Sequence, residues 1–424
     1  MAATVEPVTV TSPDLEARRA AGAARLAATG YPTTRDEEWR FTPVQPVTHG
    51  TWADAAPAAV APAALEPFLF GHADWSVLVF VNGHYAPALS QVRQPADVTV
   101  STLAEALAAG NPVAHRHALA HAPVERSAFV AENAARSADG GFVHVAAGAD
   151  VALPVHLVHV ASPEAAGTVK FPRTLVVVER GARLNLVESY VALPGAERYV
   201  TNAVTEVVTG ANAWVEHTRL QRESEAGYHI GWTQVTQERD SHYRNFTLAA
   251  GGQLSRHDLT VRLGGPNAET LMYGLYLGRH EQLHDNHTTI HHDHPDCRSW
   301  EVYKGILADR ARGVFNGKIF VDPIAQKTDA KQTNRALLLS PDAKVDTKPQ
   351  LEIFADDVKC THGATIGYLD PMPLFYGRSR GIPREAAHRM LTYAFCCEVT
   401  DEIRLGPVRT ELERLVRERV GLLA

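Results

Sequence analysis

The chain has 424 residues, enough to bury a large core and to divide into two or three domains. Its 41 basic and 48 acidic residues leave a formal net charge of −7, which argues against nucleic acid as the main partner. The longest clean apolar run, residues 77–81, is far too short to span a bilayer, so no membrane partner is expected.

Residues 1–13 have neither a basic start nor an apolar middle, so no secretory leader is expected and the predicted location is cytoplasmic. Ser12 as cap, Pro13 in the first turn, and Gly30 with Pro32 as stops predict a first helix. Leu15, Ala20 and Leu26 would be its apolar face. The polar run 36–41 embeds Trp39, which is expected to pack this helix against its domain. A Pro- and Ala-rich link, residues 56–67, leads to a predicted strand at 75–82, closed by an Asn82-Gly83 turn. A short helix follows at 103–109. Residues 1–127 read as a mostly helical N-terminal domain.

From 128 to 367 the rhythm changes to short runs of Val, Leu, Thr and Tyr ended by Gly, Pro or Asn. Strict alternation at 183–188 and 259–263 marks half-buried strands. No helical pattern interrupts residues 190–290, which excludes a doubly wound α/β domain. The pattern alone leaves a sandwich and a β-helix open. Gly-led segments at 181–184, 210–214 and 251–254 read as turn-plus-strand repeats.

Residues 368–424 return to helix. Pro383 opens one with Ala387, Met390, Leu391, Ala394 and Phe395 at helical spacing, and Cys396 and Cys397 read there as buried small hydrophobes. Pro407 opens a second, with Val408, Leu412, Leu415 and Val416 as its seam. The four cysteines include no Cys-x-x-Cys pair and argue against a secreted disulfide framework.

Two stretches concentrate chemistry. His280, His284, His287, His291, His292 and His294 interleave with Asp285, Asp293, Asp296 and Cys297, ligand types that borderline and soft metals prefer. On a strand, Asp285, His287, Thr289, His291 and Asp293 face one way, and His284, Asn286, Ile290 and His292 the other. Neither set closes a four-ligand site by itself. His287 and His291 are the candidates for transient metal contact. The second stretch, residues 349–367, carries Asp356, Asp357, Lys359, Cys360, Thr361 and His362. Lys359 and Cys360 point oppositely on a strand, so an activated thiolate is not implied, and Cys360 can be either ligand or core. GxxxxGK[ST] and a post-strand GxGxxG are absent, which removes the commonest nucleotide readings, whereas the strings HExxH (280–284) and GxSxG (377–381) do occur.

The runs 285–288 (DNHT), 303–307 (YKGIL), 313–317 (GVFNG), 327–330 (KTDA), 345–349 (VDTKP), 355–365 and 375–381 (FYGRSRG), with 37–41 (EEWRF), together resemble the SufB/SufD family of the SUF iron–sulfur cluster assembly system. The resemblance implies a right-handed parallel β-helix core (128–367) flanked by N-terminal (1–127) and C-terminal (368–424) helical domains. It implies a non-catalytic scaffold supporting iron acquisition and cluster formation. Such a subunit pairs with SufB through the β-helix ends and carries the ATPase SufC on its C-terminal domain, in a SufB–SufC2–SufD complex; alone, it can form a homodimer. His362 matches the family's interface histidine and Cys360 the cysteine of the same motif, with Thr361 in place of serine. Both are expected to meet a transient iron or Fe–S cluster at the interface with SufB, and no cofactor is expected to stay tightly bound to the isolated chain. Phe375, Arg378, Arg380, Arg384 and Phe395 fall in the SufC-contacting region. The segment 338–344 lacks the essential cysteine of SufB, and Gly363 replaces a SufB glutamate; both departures favour the SufD branch and an incomplete site. Two alternatives are a metal-dependent β-fold enzyme using the 280–294 histidines and a purely structural β-helix.

Overall fold

A computed structural model describes residues 13–71, 74–93 and 97–421. Its body is a parallel β-helix of about eight turns. Successive strands alternate between two facing sheets: Arg298–Leu307 lies in the ten-stranded sheet, Arg312–Val321 in the eleven-stranded one, and Asp329–Leu338 back in the first. A sandwich is excluded because the central pairs are all parallel, whereas sandwich sheets pair antiparallel.

The pairing is in register, so each inward position stacks into a column along the axis. Val207, Val235, Val261, Ile290 and Ile319 form one such column, all fully buried. Corners stack as well. Gly181, Asn212, Asp240, Asn267, Asp296 and Lys327 take left-handed φ values between 57° and 70° at one corner, turn after turn. Gly, Asn and Asp carry that conformation at least cost.

The N-terminal residues supply the first strands of both sheets. Ser76–Val81 pairs in parallel with Val155–Ala161, and Val98–Thr102 pairs antiparallel with Gly141–Val145. The Asn82-Gly83 turn is present, with φ of 52° and 88°. Thr102 and Glu105 form a capping box that starts the helix Leu103–Ala108. The first helix, Pro13–Thr29, packs on Ala128–Arg136 through Leu15 and Gly22, where a Cβ would lie 2.6 Å from the Ala131 carbonyl oxygen. Ala20, expected on the apolar face, is exposed: the close approach at Gly22 fixes which side meets its partner. The expected Ser12 cap lies outside the described residues. Trp39 is buried as expected, with Phe129 beside it at 5.3 Å and the Arg256 guanidinium over its ring at 3.6 Å.

Three helices, Pro371–Ser379, Arg384–Thr400 and Gly406–Arg419, close the chain. Val408, Leu412 and Val416 are buried as their spacing predicts. On Arg384–Thr400 the buried side is Ala387, Thr392, Cys396 and Val399, while Met390 and Ala394 are exposed and Cys397 is half-buried. Apolar residues ring this helix, so spacing does not select a face. Lys304 does: buried in the sheet, its Nζ donates to the Phe395 carbonyl at 3.0 Å and meets Glu398 at 2.5 Å.

Candidate functional site

The last coil is where the β-helix stops without a cover. Lys359–Gly367 is the terminal strand of the ten-stranded sheet and pairs only with Asp329–Leu338; Lys344–Ile353 ends the other sheet. Positions that are sealed in the middle of the stack are open here. Met272, Glu301, Gln332 and His362 occupy one inward column; the first three are buried and His362 is exposed. Thr270, Ser299, Ala330 and Cys360 form the neighbouring column. Cys360 is half-buried against the apolar core, and that burial raises its thiol above the usual range. Of the two roles the sequence left open, the core contact is present: Cys360 flanks the apolar core from the last coil. Ile353, Phe354, Ile366 and Tyr368 add exposed apolar surface around the same rim. An uncovered sheet end with apolar side chains is a surface shaped for another chain.

The histidine cluster behaves differently. The strand Leu283–His292 splits its side chains as alternation requires. His284 and His292 are buried inside the stack, and burial lowers them to about 4 and about 3. His287 lies outside the stack but is covered by the turn Glu37–Trp39. Its Nε2 is 3.0 Å from Asp285 Oδ1 and its Nδ1 3.5 Å from Glu38 Oε2. Burial and Arg256 oppose a charge on His287, but Asp285 and Glu38 overcome both and raise its pKa. Both ring nitrogens thus face carboxylates. His291 lines the same groove, of about 510 Å³, together with Trp232, Lys318 and Phe320; burial and Arg126 lower it to about 4. His280 sits at an exposed corner with φ of 55°. Among the described residues no three His, Cys, Asp or Glu side chains are placed to share a metal ion. His280 and His284, the two histidines of the HExxH string, sit on a corner and inside the stack, not on one face of a helix.

The C-terminal residues divide too. Phe375 is 67 % exposed, and Arg378, Arg380 and Arg384 are also exposed. Phe395 is not on that surface: it is half-buried toward the β-helix, with the Lys304 ammonium 4.2 Å from its ring centre. The sequence reading missed Met372, 68 % exposed, and did not single out Tyr376, 62 % exposed; both lie on the helix Pro371–Ser379, which buries none of its residues. The signal was present: aromatic and apolar residues on a short helix next to three arginines. It also missed Glu301 and Gln332, which no local pattern connects to His362. Among the described residues no helix is long and apolar enough to cross a membrane.

Comparison with known proteins agrees with this architecture. Residues 160–395 match the model of the SufBD core domain of SUF-system FeS cluster assembly, and residues 8–157 match that of the SufBD N-terminal region. An iron–sulfur cluster assembly SufBD family protein of Synechocystis is 34 % identical over 407 residues, covering 94 % of this chain and 90 % of the relative. The iron–sulfur cluster assembly protein SufD of Escherichia coli is 32 % identical over 399 residues, covering 93 % and 91 %. Protein ABCI7, chloroplastic, of Arabidopsis thaliana is 41 % identical over 253 residues, 59 % of this chain and 53 % of the relative. With two family models across its length and a relative 34 % identical over 94 % of it, the chain belongs to the SufBD family of the SUF iron–sulfur cluster assembly system.

Proposed function

We propose that this chain is a SufD-type scaffold subunit with no catalytic cycle of its own, supporting iron acquisition and cluster formation where its open β-helix end meets SufB. The observation that carries this reading is the last coil, which holds His362 and Cys360 on inward columns with no further strand among the described residues stacked above them. A neutral imidazole is an iron ligand, and a thiol beside it can join once a metal lowers its pKa. Iron and the nascent cluster are cargo at this border. One chain supplies only part of a ligand set, which is why a second subunit is required.

The exposed helix Pro371–Ser379, with Phe375, Tyr376, Arg378 and Arg380, and Arg384 just beyond it, is the docking surface for the SufC ATPase. Apolar anchors ringed by arginines suit a mixed packing and charge-complementary contact. The working compartment is the cytoplasm, and the same open end would pair two copies when the chain is alone. His287 serves the seating of the N-terminal segment on the β-helix, since it is committed to Asp285 and Glu38, and His291 is left as the candidate for transient iron contact.

The test is His362→Ala in the complex reconstituted with SufB and SufC. The expected result is an intact 1:2:1 assembly with unchanged ATPase binding and strongly reduced cluster formation. Cluster formation at the wild-type rate would remove the assignment.

A further inference from the structure

We propose that Gln332 is the positioning residue for His362: its amide oxygen accepts the imidazole N–H while Glu301 holds the amide from behind. The inference rests on the reading of His362 as an iron ligand.

Three observations carry it. Gln332 is 1 % exposed, and its Nε2 donates to Glu301 Oε2 at 3.0 Å, which fixes the amide with its oxygen turned away from Glu301. That oxygen, Oε1, is buried and has no hydrogen-bond partner. The space the amide fills is cut out of the opposite sheet, where a Cβ on Gly317 would lie 2.0 Å from Nε2 and 2.6 Å from Cδ. Gln332 is therefore clamped by a carboxyl on one side and a bare backbone on the other, with one acceptor unspent.

His362 is the next rung of the same column, in register with Gln332. Adjacent strands lie about 4.8 Å apart, so the side chains of one column are neighbours. In the free chain no hydrogen bond joins them, and the exposed imidazole turns about its side-chain torsions to close one. An imidazole that gives one nitrogen to a metal must place its remaining N–H, and the acceptor it finds sets the tautomer and ring angle. Competing acceptors are otherwise engaged or misdirected. Asn334 Oδ1 accepts from the Tyr276 hydroxyl, and the Asn334 amide donates to Thr347 Oγ1. Gln350 lies at an outward position of its strand.

The experiment compares wild type, His362→Ala, Gln332→Met, Gly317→Ala and the double variant Gln332→Glu with Glu301→Gln, each as the full chain in equal amounts of intact complex with SufB and SufC. Cluster yield is measured by visible absorption, and pulsed EPR of the reduced centre reads the quadrupole coupling of the remote imidazole nitrogen. Gln332→Met keeps the length and removes the acceptor; it is expected to lower yield about 10-fold and to shift the remote-nitrogen coupling. Gly317→Ala keeps the amide but displaces it, and should shift the coupling in the same sense. Gln332→Glu combined with Glu301→Gln swaps the amide and the carboxyl, so that the new amide donates to residue 332 and leaves it an acceptor oxygen; this pair should recover both readouts. If His362→Ala abolishes the cluster while Gln332→Met and Gly317→Ala match wild type in both readouts, this inference is wrong and the iron-ligand reading stands. If His362→Ala has no effect, the iron-ligand reading itself fails.

Discussion

Glu301 is a buried carboxyl without a cation, and replacing it with glutamine should stabilise the protein in a pH-dependent way. The side chain is 1 % exposed, and no Lys, Arg or His among the described residues forms an ion pair with it. It accepts from Gln332 Nε2, and its Oε1 has no hydrogen-bond partner. Burial dominates, raising the group from 4.5 to about 7. The sign follows from proton counting. Below pH 4.5 both folded and unfolded chains carry the proton and nothing is lost. Between 4.5 and 7 the unfolded chain ionises while the folded chain does not, so stability falls with rising pH until the folded group also ionises. A shift of this size corresponds to about 3 kcal/mol, fully lost by pH 8. Glu301→Gln keeps the shape and a hydrogen-bonding oxygen and removes the charge. Urea unfolding midpoints measured from pH 4.5 to pH 8 should therefore coincide at the acid end and separate in favour of the variant toward pH 8. A difference that stays flat with pH, or a wild type that is more stable at pH 8, would refute the argument. Glu188 is the internal contrast. It is equally buried, but bonding and attraction to His217, with His159 and Arg219 near, overcome burial and hold it at about 2. Its contribution is present above pH 4.5 and fades as pH falls toward 2, so Glu188→Gln should destabilise at neutral pH.

Three further outcomes follow from packing. Gly305→Ala would place a Cβ 2.0 Å from the buried Tyr276 ring, and this overpacking should cost about 1–3 kcal/mol, read as a lower Tm; an unchanged Tm would contradict the stacking described. Lys304→Met removes the tie to Phe395 and Glu398 and should cost about 2 kcal/mol, seen as faster proteolysis within the Arg384–Thr400 helix while the β-helix stays intact. Uniform cleavage along the chain would show that the tie is not local. Phe375→Asp alters an exposed side chain and should leave stability within about 0.5 kcal/mol, yet release the ATPase subunit on gel filtration; full retention would place the docking surface elsewhere.

The strands were legible because alternation is a local property, and the segments at 183–188 and 259–263 fall within strands. The coil repeat was not. It is marked by single left-handed residues at the corners, Asn212, Asp240, Asn267 and Asp296, and one Asn or Asp looks like any turn signal. The glycine segments taken as the repeat mix two corners: Gly181 stacks with Asn212, whereas Gly252 belongs with His280 and Asp309. The histidines were close in sequence, yet alternation sends His284 and His292 inward and His287 and His291 outward, so proximity along the chain did not become convergence. Glu301, Gln332 and His362 show the reverse. They are about one turn apart in sequence, and only the in-register coil makes them neighbours. The resemblance pointed to His362 and Cys360, but how far each is covered depends on which coil is last, a property of the whole stack.

The two ends of the stack are finished differently, and the difference bears on what the open end is for. At the N-terminal end, the inward residues Leu78, Phe80, Val98 and Val100 are sealed, with Tyr85 and Val92 packed over them. At the C-terminal end the chain still has three helices available, enough to cover one coil. They go to the side instead: Arg384–Thr400 lies against Glu269–Gly278 and Arg298–Leu307, held there by Lys304, and leaves Ile353, Ile366 and His362 in water. Burying an isoleucine side chain is worth about 1.5–3 kcal/mol, so an end finished for the stability of the single chain would have used those helices as a lid. A last coil left bare beside unused covering material is expected when a second subunit supplies the lid, and a ligand set split between two chains needs such a border.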